Sequence, residues 1–484
     1  MEHAPAEVVE THVSTVFMAG DRAYKLLKPI TTGFLDHADA TDRMMATEVE
    51  YALNRRIAPD VYLGLADVVE GGELVDKMIV MRRLPTARRL SQLVDSDEFP
   101  DQLIAVARRV AAFHAGLDPI HEPDGPGTFT GIVEDWRKNF DEMEQFVGPI
   151  LDRASHDEIV SRASAYLDGR KGLFVQREQD GLVRDVHGDL LADDIFCLDG
   201  GPRILDCLAF SRRLRVHDVL ADIAFLVMDI DRLAGPGAAR FLLRHYQEFS
   251  DEHHPSSLAH FHVAYRSLVR TKVACLRAAQ GDRESVGLAR RHHDMVRDHL
   301  LRATVRLVLV GGAPGTGKST LAESLCERYD WSLLSSDELR KDMAGLGHTE
   351  SAEAGLDAGI YQSEFTTAVY DELLREARLL IRRGESVVID ASFPRQRARQ
   401  LARAVAAEEK AELIELECRA DAELAADRIA ARAARGPNPS DVNPELARRL
   451  AAARERWESA LAVDASTPPE DMVARVANHL ATSL

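Results

Sequence analysis

Residues 306–320 read RLVLVGGAPGTGKST, an apolar run followed by a glycine-rich loop that ends in Lys, Ser and Thr. The loop matches G-x-x-x-x-G-K-[ST], whose backbone N–H groups surround phosphates while its lysine reaches the β- and γ-phosphates and its hydroxyl binds Mg²⁺. The apolar run predicts a buried strand, and the segment after the loop predicts a helix whose N-terminus adds positive charge. The predicted nucleotide-binding residues are Gly312, Ala313, Pro314, Gly315, Thr316, Gly317, Lys318, Ser319 and Thr320.

Two carboxylates downstream complete this predicted site. Asp390 ends the apolar strand of SVVIDASF, where an acid can hold Mg²⁺ through water; the alternative is an aspartate that merely ends a strand at a turn. Asp337, in LLSSDELRK, lies where a carboxylate can accept the proton of an attacking hydroxyl. Ser335 and Glu338 also form a capping-box pattern, so Asp337 could simply favour the start of a helix. The sequence has no NKxD motif, which a G-protein would need.

A basic segment near the C-terminus has the pattern of a lid. In DRIAARAARGPNPSDVNPE, Arg428, Arg432 and Arg435 share one side of a predicted helix before a loop rich in Pro and Asn. Such a segment can close over ATP and bring an arginine to the transferring phosphate, and we predict Arg432 in that role. The alternative is a solvated basic face. The last hundred residues are otherwise expected to be helical, because they are rich in Ala and Arg.

Residues 303–484 resemble the P-loop kinases related to polynucleotide kinase, gluconate kinase and zeta-toxin proteins. The matching stretches are the P-loop, SSDELR, VVIDASF and the Arg-rich segment. The resemblance implies phosphoryl transfer from ATP to a hydroxyl, with Ser319 and Asp390 at Mg²⁺ and with Lys318, Asp337 and Arg432 as catalytic residues. The acceptor is not identified by it. Alternating strand and helix signals predict an α/β domain with a doubly wound parallel sheet.

A second motif lies in HGDLLADDIFCLDGGPRILD, residues 187–206. It follows the pattern H-G-D-x-x-x-x-N, except that Asp194 replaces the asparagine. Asp189 would orient or deprotonate an acceptor hydroxyl. The segment from Ile195 to Leu205 predicts a hairpin that turns at residues 199–201, so Asp194 and Asp206 flank it symmetrically and would together bind Mg²⁺.

The first ~85 residues predict a small β-rich lobe with one helix. AGDR and EGGE are the predicted hairpin turns, and residues 40–59 read as a helix stopped by Pro59. Lys25 lies on a strand, where a kinase-type lysine holds the α- and β-phosphates, and Glu50 on the following helix is its predicted partner. Glu48 is the alternative partner. A lysine on a strand and a glutamate on a helix are, however, usually surface residues.

This arrangement resembles the aminoglycoside phosphotransferases, which share the protein-kinase-like fold. It is more similar to bacterial two-domain proteins that fuse such a domain to a P-loop kinase, on the stretches ETHVSTVFMAGDRAYKLLKPI, LNRRIAPDVYLG, VMRRLP, HGDL and LRVHDVLADIAFLVMDID. The resemblance implies an α+β protein-kinase-like domain over residues 1–300, with an N-lobe over about 1–85, followed by the P-loop domain over 303–484. Three features depart from the family: Leu191, Asp194 and the tripeptide AFS at 209–211. The first hairpin also lacks a glycine-rich phosphate-binding loop. These departures leave two alternatives for the N-terminal domain: it catalyses phosphoryl transfer, or it binds a nucleotide or other ligand without turnover.

Composition limits the class of protein. The formal charge of −19 argues against a protein that coats nucleic acid, and no apolar run approaches the ~20 residues of a membrane span. Five scattered cysteines without a CxxC pair predict a reducing cytoplasm and no zinc site. Arg82, Arg83, Arg88 and Arg89 either line a cleft between lobes or form a surface patch.

We therefore expect a cytoplasmic ATP- and Mg²⁺-dependent phosphotransferase that acts on a hydroxyl of a small molecule such as a sugar, aminoglycoside or nucleoside. The alternatives are a nucleotide-operated regulatory protein and a toxin-like kinase acting on a nucleotide-sugar. The sequence does not indicate an oligomeric state.

Overall fold

The computed structural model describes residues 7–11, 13–32, 35–347, 362–434 and 444–482. The chain divides into two compact units. The N-terminal unit comprises Met1–Ile159, Phe174–His254 and Ala259–His299, and the C-terminal unit comprises Val160–Leu173, Pro255–Leu258 and Leu300–Leu484. The C-terminal unit therefore includes two short segments that precede the predicted boundary near residue 300. No helix in the described ranges is long and apolar enough to cross a membrane.

The N-terminal unit begins with a β-rich lobe. Its elements are β1 (Glu7–Glu10), β2 (Ser14–Ala19), β3 (Arg22–Leu27), β4 (Thr31–Thr32), β5 (Leu35–Asp36), α1 (Ala40–Arg55), β6 (Tyr62–Glu70) and β7 (Glu73–Arg82). Five of the strands form an antiparallel sheet in the order β1-β2-β3-β7-β6. The predicted β-rich lobe with one helix is confirmed, and so are the two hairpin turns. Helix α1 ends four residues before Pro59, since a residue before proline disfavours the helical conformation.

The rest of this unit is mainly helical. Its elements are α2 (Phe99–Ala115), α3 (Phe129–Met143), α4 (Arg153–Gln179), β8 (Val183–Asp185), β9 (Ile195–Leu198), β10 (Gly201–Ile204), β11 (Val216–Asp218), α5 (Val219–Ser250), α6 (Ser256–Ala279) and α7 (Glu284–Ala303). Strands β9 and β10 pair as the predicted hairpin, and β8 pairs with β11. Every residue of α5 from Val219 to Ile230 is buried, so this helix forms the centre of the unit.

The C-terminal unit is built on a parallel sheet. Its remaining elements are β12 (Arg306–Gly312), α8 (Lys318–Tyr329), β13 (Ser332–Ser335), α9 (Ser336–Ala344), α10 (Ser363–Arg382), β14 (Val387–Asp390), α11 (Gln396–Glu408), β15 (Glu412–Arg419), α12 (Ala422–Ala434), α13 (Pro444–Ala452), β16 (Leu461–Asp464) and α14 (Pro469–Thr482). The five strands run parallel in the order β13-β14-β12-β15-β16. This confirms the predicted α/β class, and ligands bind such sheets at the carboxyl ends of the strands.

The expectation of an all-helical last hundred residues is wrong. Strand β15 pairs with β12 along its length, and β16 pairs with β15. In β15 the buried side chains alternate, at Ile414, Leu416 and Cys418, which is the period of a strand. Ala- and Arg-rich helices on either side obscured this short alternation.

Part of α4 belongs to the C-terminal unit. There the guanidinium of Arg170 is buried and donates to the carbonyl of Glu409 at 2.7 Å. A Cβ atom on Gly169 would lie 2.6 Å from that same carbonyl oxygen, so only glycine fits. The segment at the start of α6 also takes part, because the Ser257 hydroxyl donates to the carbonyl of Gly384 at 2.6 Å. The C-terminal unit is thus closed by residues from earlier in the chain.

Candidate functional site

The P-loop joins the carboxyl end of β12 to α8 and depends on its glycines. Gly312, Gly315 and Gly317 have φ of 149°, 80° and 83°, values that side chains disfavour. A Cβ at Gly312 would lie 2.6 Å from the carbonyl oxygen of Cys418, and one at Gly315 would lie 2.5 Å from that of Ala425. The loop can therefore keep its backbone close to neighbouring segments only with glycine at these positions.

Polar side chains of the loop converge on one point of the sheet. The ammonium group of Lys318 donates to the carbonyl of Ala313 at 3.1 Å, inside the loop. The hydroxyl of Ser319 donates to the carboxylate of Asp390 at 2.6 Å. Asp390 lies beside Val310 in the sheet register, at the carboxyl end of β14. Burial raises the pKa of Asp390, whereas Lys318 and the Ser319 hydrogen bond lower it.

These residues suit a magnesium ion with bound phosphates. A hydroxyl and a carboxylate oxygen lie in contact at the end of the sheet, and Mg²⁺ typically takes one or two protein oxygens together with phosphate and water. No group of three or more His, Cys, Asp or Glu side chains able to hold a metal by itself occurs in the described ranges. A protein-only metal cage is therefore not formed by those residues, and the Ser319–Asp390 pair fits the phosphate-bound type of site.

Asp337 lies close to this pair, in the first turn of α9. Ser335, the residue before α9, pairs with Asp390 in the sheet register and caps the helix by accepting from the backbone N–H of Glu338 at 3.4 Å. The capping contact is thus present and is made by Ser335, which leaves the carboxylate of Asp337 out of it. Burial is the main cause of a raised pKa at Tyr370, and Asp337 adds to it.

The arginine segment is only partly described. Arg428 on α12 donates to the carbonyl of Ala465 at 2.8 Å. Arg432 lies on the same helix, but its side chain is outside the described residues, and Arg435 lies wholly outside them. Two further side chains near the site were not predicted. The hydroxyl of Tyr370 accepts from the backbone N–H of Phe393 at 2.9 Å, and Arg454 donates to the carbonyl of Ser392.

In the N-terminal unit, Lys25 forms two ion pairs. Its ammonium group lies 2.7 Å from Glu50 and 2.7 Å from Asp206. Burial alone would lower the pKa of Lys25, but the carboxylates of Asp206 and Glu50 raise it well above its usual value. Glu48, the alternative partner, instead pairs with Lys77. The structure therefore pairs Lys25 of β3 with Glu50 of α1 and not with Glu48.

The hairpin register differs from the expected one. Leu198 pairs with Gly201 across a two-residue turn, so Asp194 lies opposite Leu205 and not opposite Asp206. Asp206 has φ of 59°, a left-handed conformation, which redirects the chain one residue after the hairpin. The two carboxylates still interact: burial, followed by the charges of Asp206 and Asp189, raises the pKa of Asp194 well above its usual value. Close carboxylates of this kind fit a divalent cation.

The loop that carries Asp189 is held in place by a buried carboxylate that the sequence motifs did not predict. Asp222 on α5 accepts from the backbone N–H groups of Gly188 at 2.7 Å and His187 at 3.2 Å, and lies 3.0 Å from His114 Nε2. Burial would raise the pKa of Asp222, but the hydrogen bond from His114 lowers it below its usual value. A carboxylate in the middle of the apolar run LADIAFLV was the available signal.

All five predicted residues of the N-terminal unit line one cavity of about 850 Å³: Lys25, Glu50, Asp189, Asp194 and Asp206. Burial raises the pKa of Asp189, while Arg270 lowers it. The same cavity is lined by three of the four clustered arginines, Arg82, Arg83 and Arg89, whereas Arg88 lines a second, more open pocket that Arg82 and Arg83 share.

Comparison with known proteins identifies relatives over nearly the whole chain. Residues 307–457 match the family described as an AAA domain (AAA_33). The chain is 38% identical over 469 residues to Uncharacterized protein Mb2027c of Mycobacterium bovis and to Uncharacterized protein Rv2004c of Mycobacterium tuberculosis. In each case the match covers 96% of this chain and 94% of the relative.

Solved structures resemble one unit at a time. A choline/ethanolamine kinase family protein from Mesorhizobium loti is 15% identical with a TM-score of 0.41, covering 62% of this chain and 92% of that one. The GDP and kanamycin complex of APH(2″)-IIia is 14% identical with a TM-score of 0.41, covering 62% and 94%. A gluconokinase from Sinorhizobium meliloti is 19% identical with a TM-score of 0.27, covering 37% and 93%. These likenesses concern the fold alone.

Proposed function

The chain joins a kinase-like unit to a P-loop kinase domain and belongs to the family of the mycobacterial proteins Mb2027c and Rv2004c, and we propose that it transfers the γ-phosphate of ATP to a hydroxyl of a small molecule. One observation carries the proposal. The strained glycine loop presents Lys318 at the carboxyl end of β12, with the Ser319 hydroxyl 2.6 Å from Asp390. A strand end with this set of groups is suited to hold a polyphosphate.

In the C-terminal unit we assign four roles. The loop amides and Lys318 bind the β- and γ-phosphates, and Ser319 and Asp390 hold Mg²⁺, which neutralises phosphate charge when bound. Asp337 accepts the acceptor's proton, and Arg432 stabilises charge on the transferring group. The acceptor oxygen bonds to the γ-phosphorus as the bond to the bridging oxygen breaks, and ADP leaves with that electron pair.

In the N-terminal unit we propose a second nucleotide site. The Lys25–Glu50 ion pair of 2.7 Å supports a role for Lys25 at the α- and β-phosphates. Asp194 and Asp206 would hold Mg²⁺, and Asp189 would orient or deprotonate a hydroxyl. Burial raises the pKa of Asp189, which makes its carboxylate a stronger proton acceptor. The proposal divides the chain into two domains, 1–300 and 303–484, and the second is completed by Val160–Leu173 and Pro255–Leu258 of the first. It also includes a cytoplasmic location.

The test is acceptor-dependent ADP release by the full chain with ATP and Mg²⁺, against a panel of sugars, aminoglycosides and nucleosides. We expect Lys318→Ala to abolish turnover by the C-terminal site without unfolding it. Arg328→Ala, which removes an exposed cation from the same helix, is the matched control and should leave turnover unchanged. Tight ATP binding without turnover against any acceptor would contradict the proposal and favour the regulatory alternative.

The toxin-like alternative has its own test. A kinase that phosphorylates a nucleotide-sugar needed for growth would arrest the cells that express it. Growth arrest that Lys318→Ala relieves and Arg328→Ala does not would favour that acceptor class. Normal growth during strong expression would oppose it.

A further inference from the structure

The arginines that line the N-terminal cavity differ in whether they are paired. Arg82 lies 3.6 Å from Asp60, Arg83 lies 2.6 Å from Glu7, and Arg89 lies 3.7 Å from Asp193. Two other side chains, on α6, also line the cavity, and neither guanidinium forms a hydrogen bond or ion pair with a described residue: Arg270 and Arg277. The charge of Arg277 does lower the pKa of the exposed Asp282, without a direct contact between the two side chains. Among the described residues, these two guanidinium groups therefore have no fixed partner.

These two groups lie on the same side of α6. Arg277 follows Arg270 by seven positions, which is about two helical turns, so both side chains leave one face of the helix. Arg270 is half-buried and Arg277 is exposed. The charge of Arg270 acts on Asp189, the predicted acceptor-binding aspartate, since it lowers the pKa of that carboxyl against the effect of burial. Arg270 is therefore at the Asp189 end of the cleft, and Arg277 lies about two turns further along the same face of α6.

The surroundings of Arg270 on its other side are also positive. Burial lowers the pKa of His292 to about 4, and the guanidinium groups of Arg270, Arg232 and Arg291 add to the effect. Of these, Arg232 already pairs with Asp229 at 2.6 Å. A half-buried guanidinium loses hydration, and the loss is offset only when an anion or other acceptor comes near. Asp189 influences Arg270 from one side and Asp229 pairs with Arg232, but no carboxylate among the described residues lies within ion-pair distance of Arg270.

We infer that the N-terminal cleft binds a small molecule that carries a phosphate or carboxylate group, held by Arg270 and Arg277 beside Asp189. Arginine suits this task because its planar fork binds both kinds of anion with paired hydrogen bonds. A polycationic ligand would instead meet like charges at this end. The inference rests on the proposed function in taking Asp189 to mark the acceptor end of the cleft and Lys25 to bind nucleotide phosphates. The phosphates of a nucleotide are assigned to Lys25, so the anion belongs to a second ligand.

The experiment uses the full chain with Lys318→Ala, so that the P-loop does not contribute, and saturating Mg²⁺ with a non-hydrolysable ATP analogue. Calorimetry compares ribose 5-phosphate with ribose, gluconate with glucose, and inorganic phosphate with kanamycin. We expect the anions to bind and their uncharged matches and kanamycin not to bind. Arg270→Gln and Arg277→Gln should each weaken anion binding about tenfold or more. Arg240→Gln removes an exposed arginine outside the cavity and should change nothing.

Three results would overturn the inference: equal binding of the charged and uncharged compounds, anion binding that survives Arg270→Gln and Arg277→Gln, or a preference for kanamycin. Displacement of the anion by the ATP analogue would also overturn it, because the anion would then occupy the nucleotide position. If Arg270→Gln lowers the melting temperature, its effect on anion binding cannot be separated from its effect on the fold. The anion affinity of Arg277→Gln, at an exposed side chain, then tests the inference. ADP release by the unmodified chain is a separate readout: turnover without anion binding contradicts this inference alone, and anion binding without turnover contradicts the proposed function alone.

Discussion

A single backbone angle decides what Asp206 can reach. Its φ of 59° places the carboxylate 2.7 Å from Lys25, and its own N–H donates to the hydroxyl of Tyr62 at 3.2 Å. The next N–H, of Cys207, donates to the side chain of Asn54 at 2.9 Å. Tyr62 and Asn54 therefore hold a conformation that costs about 1 kcal/mol or more for a residue with a side chain. Such strain is retained where the surrounding contacts over-determine it.

The choice between two glutamates at Lys25 gives the first prediction. In the Lys318→Ala background, Glu50→Gln should weaken binding of an ATP analogue about tenfold, because Lys25 loses one of the two carboxylates that position it and keeps only Asp206. Glu48→Gln is the matched control, since Glu48 pairs with Lys77 instead. Calorimetry measures both. Equal affinity for the two variants would contradict the role of Lys25 in nucleotide binding.

The second prediction concerns pH and the Ser319–Asp390 contact. Asp390 must be ionised to hold Mg²⁺, so turnover is lost as pH falls through its pKa, which burial raises. Ser319→Ala removes a proposed Mg²⁺ ligand and should lower turnover at every pH; it also removes a hydrogen bond that lowers the pKa of Asp390, so the acidic limb of the remaining activity should move to higher pH. Ser319→Thr keeps the hydroxyl and should leave the limb in place. An unchanged limb in Ser319→Ala would mean that another group controls it.

At the scale of elements, the P-loop gives the third prediction. Gly315→Ala places a Cβ 2.5 Å from the carbonyl oxygen of Ala425 in addition to a φ of 80°. Gly345→Ala is a control for the angle alone, because Gly345 has φ of 69° and a Cβ there would meet no atom of the described residues within 4 Å. We expect losses of about 3 and about 1 kcal/mol in the free energy of unfolding, and loss of nucleotide binding only in Gly315→Ala. Equal melting temperatures would show that the clash is relieved.

Several elements were predictable because their signals are local. The P-loop, its flanking strand and helix, and the two hairpin turns each follow from residues close together in sequence, such as Gly71 and Gly72, whose positive φ the turn requires. The hairpin that precedes Asp206 was found, but its register was set by a turn one residue shorter than expected. Asp222 could not be assigned a role, because its partners at residues 114, 187 and 188 come from distant parts of the chain.

At the scale of the whole molecule, buried histidines predict sensitivity to acid. Burial, with charge from Arg266, lowers the pKa of His217 to about 3, and burial with charge from Arg177 does the same for His262. Below about pH 6.5 the unfolded chain takes up protons that these residues do not, so stability falls with pH, by about 2 kcal/mol for each histidine at pH 5.

Calorimetric melting at pH 7 and pH 5 tests this expectation. His262→Gln keeps a polar side chain that does not titrate, so the loss between the two pH values should shrink by about 2 kcal/mol. His253→Gln, at a side chain that is 89% exposed, should leave the loss unchanged. A melting temperature that is the same at both pH values would contradict the burial of neutral histidines.

The buried contact of Arg170 with the carbonyl of Glu409 has a consequence for any fragment of this protein. A gene fragment that begins at the P-loop strand does not encode the piece of α4 that fills the space beside Glu409. Such a fragment would leave the carbonyl of Glu409 without the buried guanidinium that binds it, so we expect the fragment to unfold at a lower temperature than the full chain.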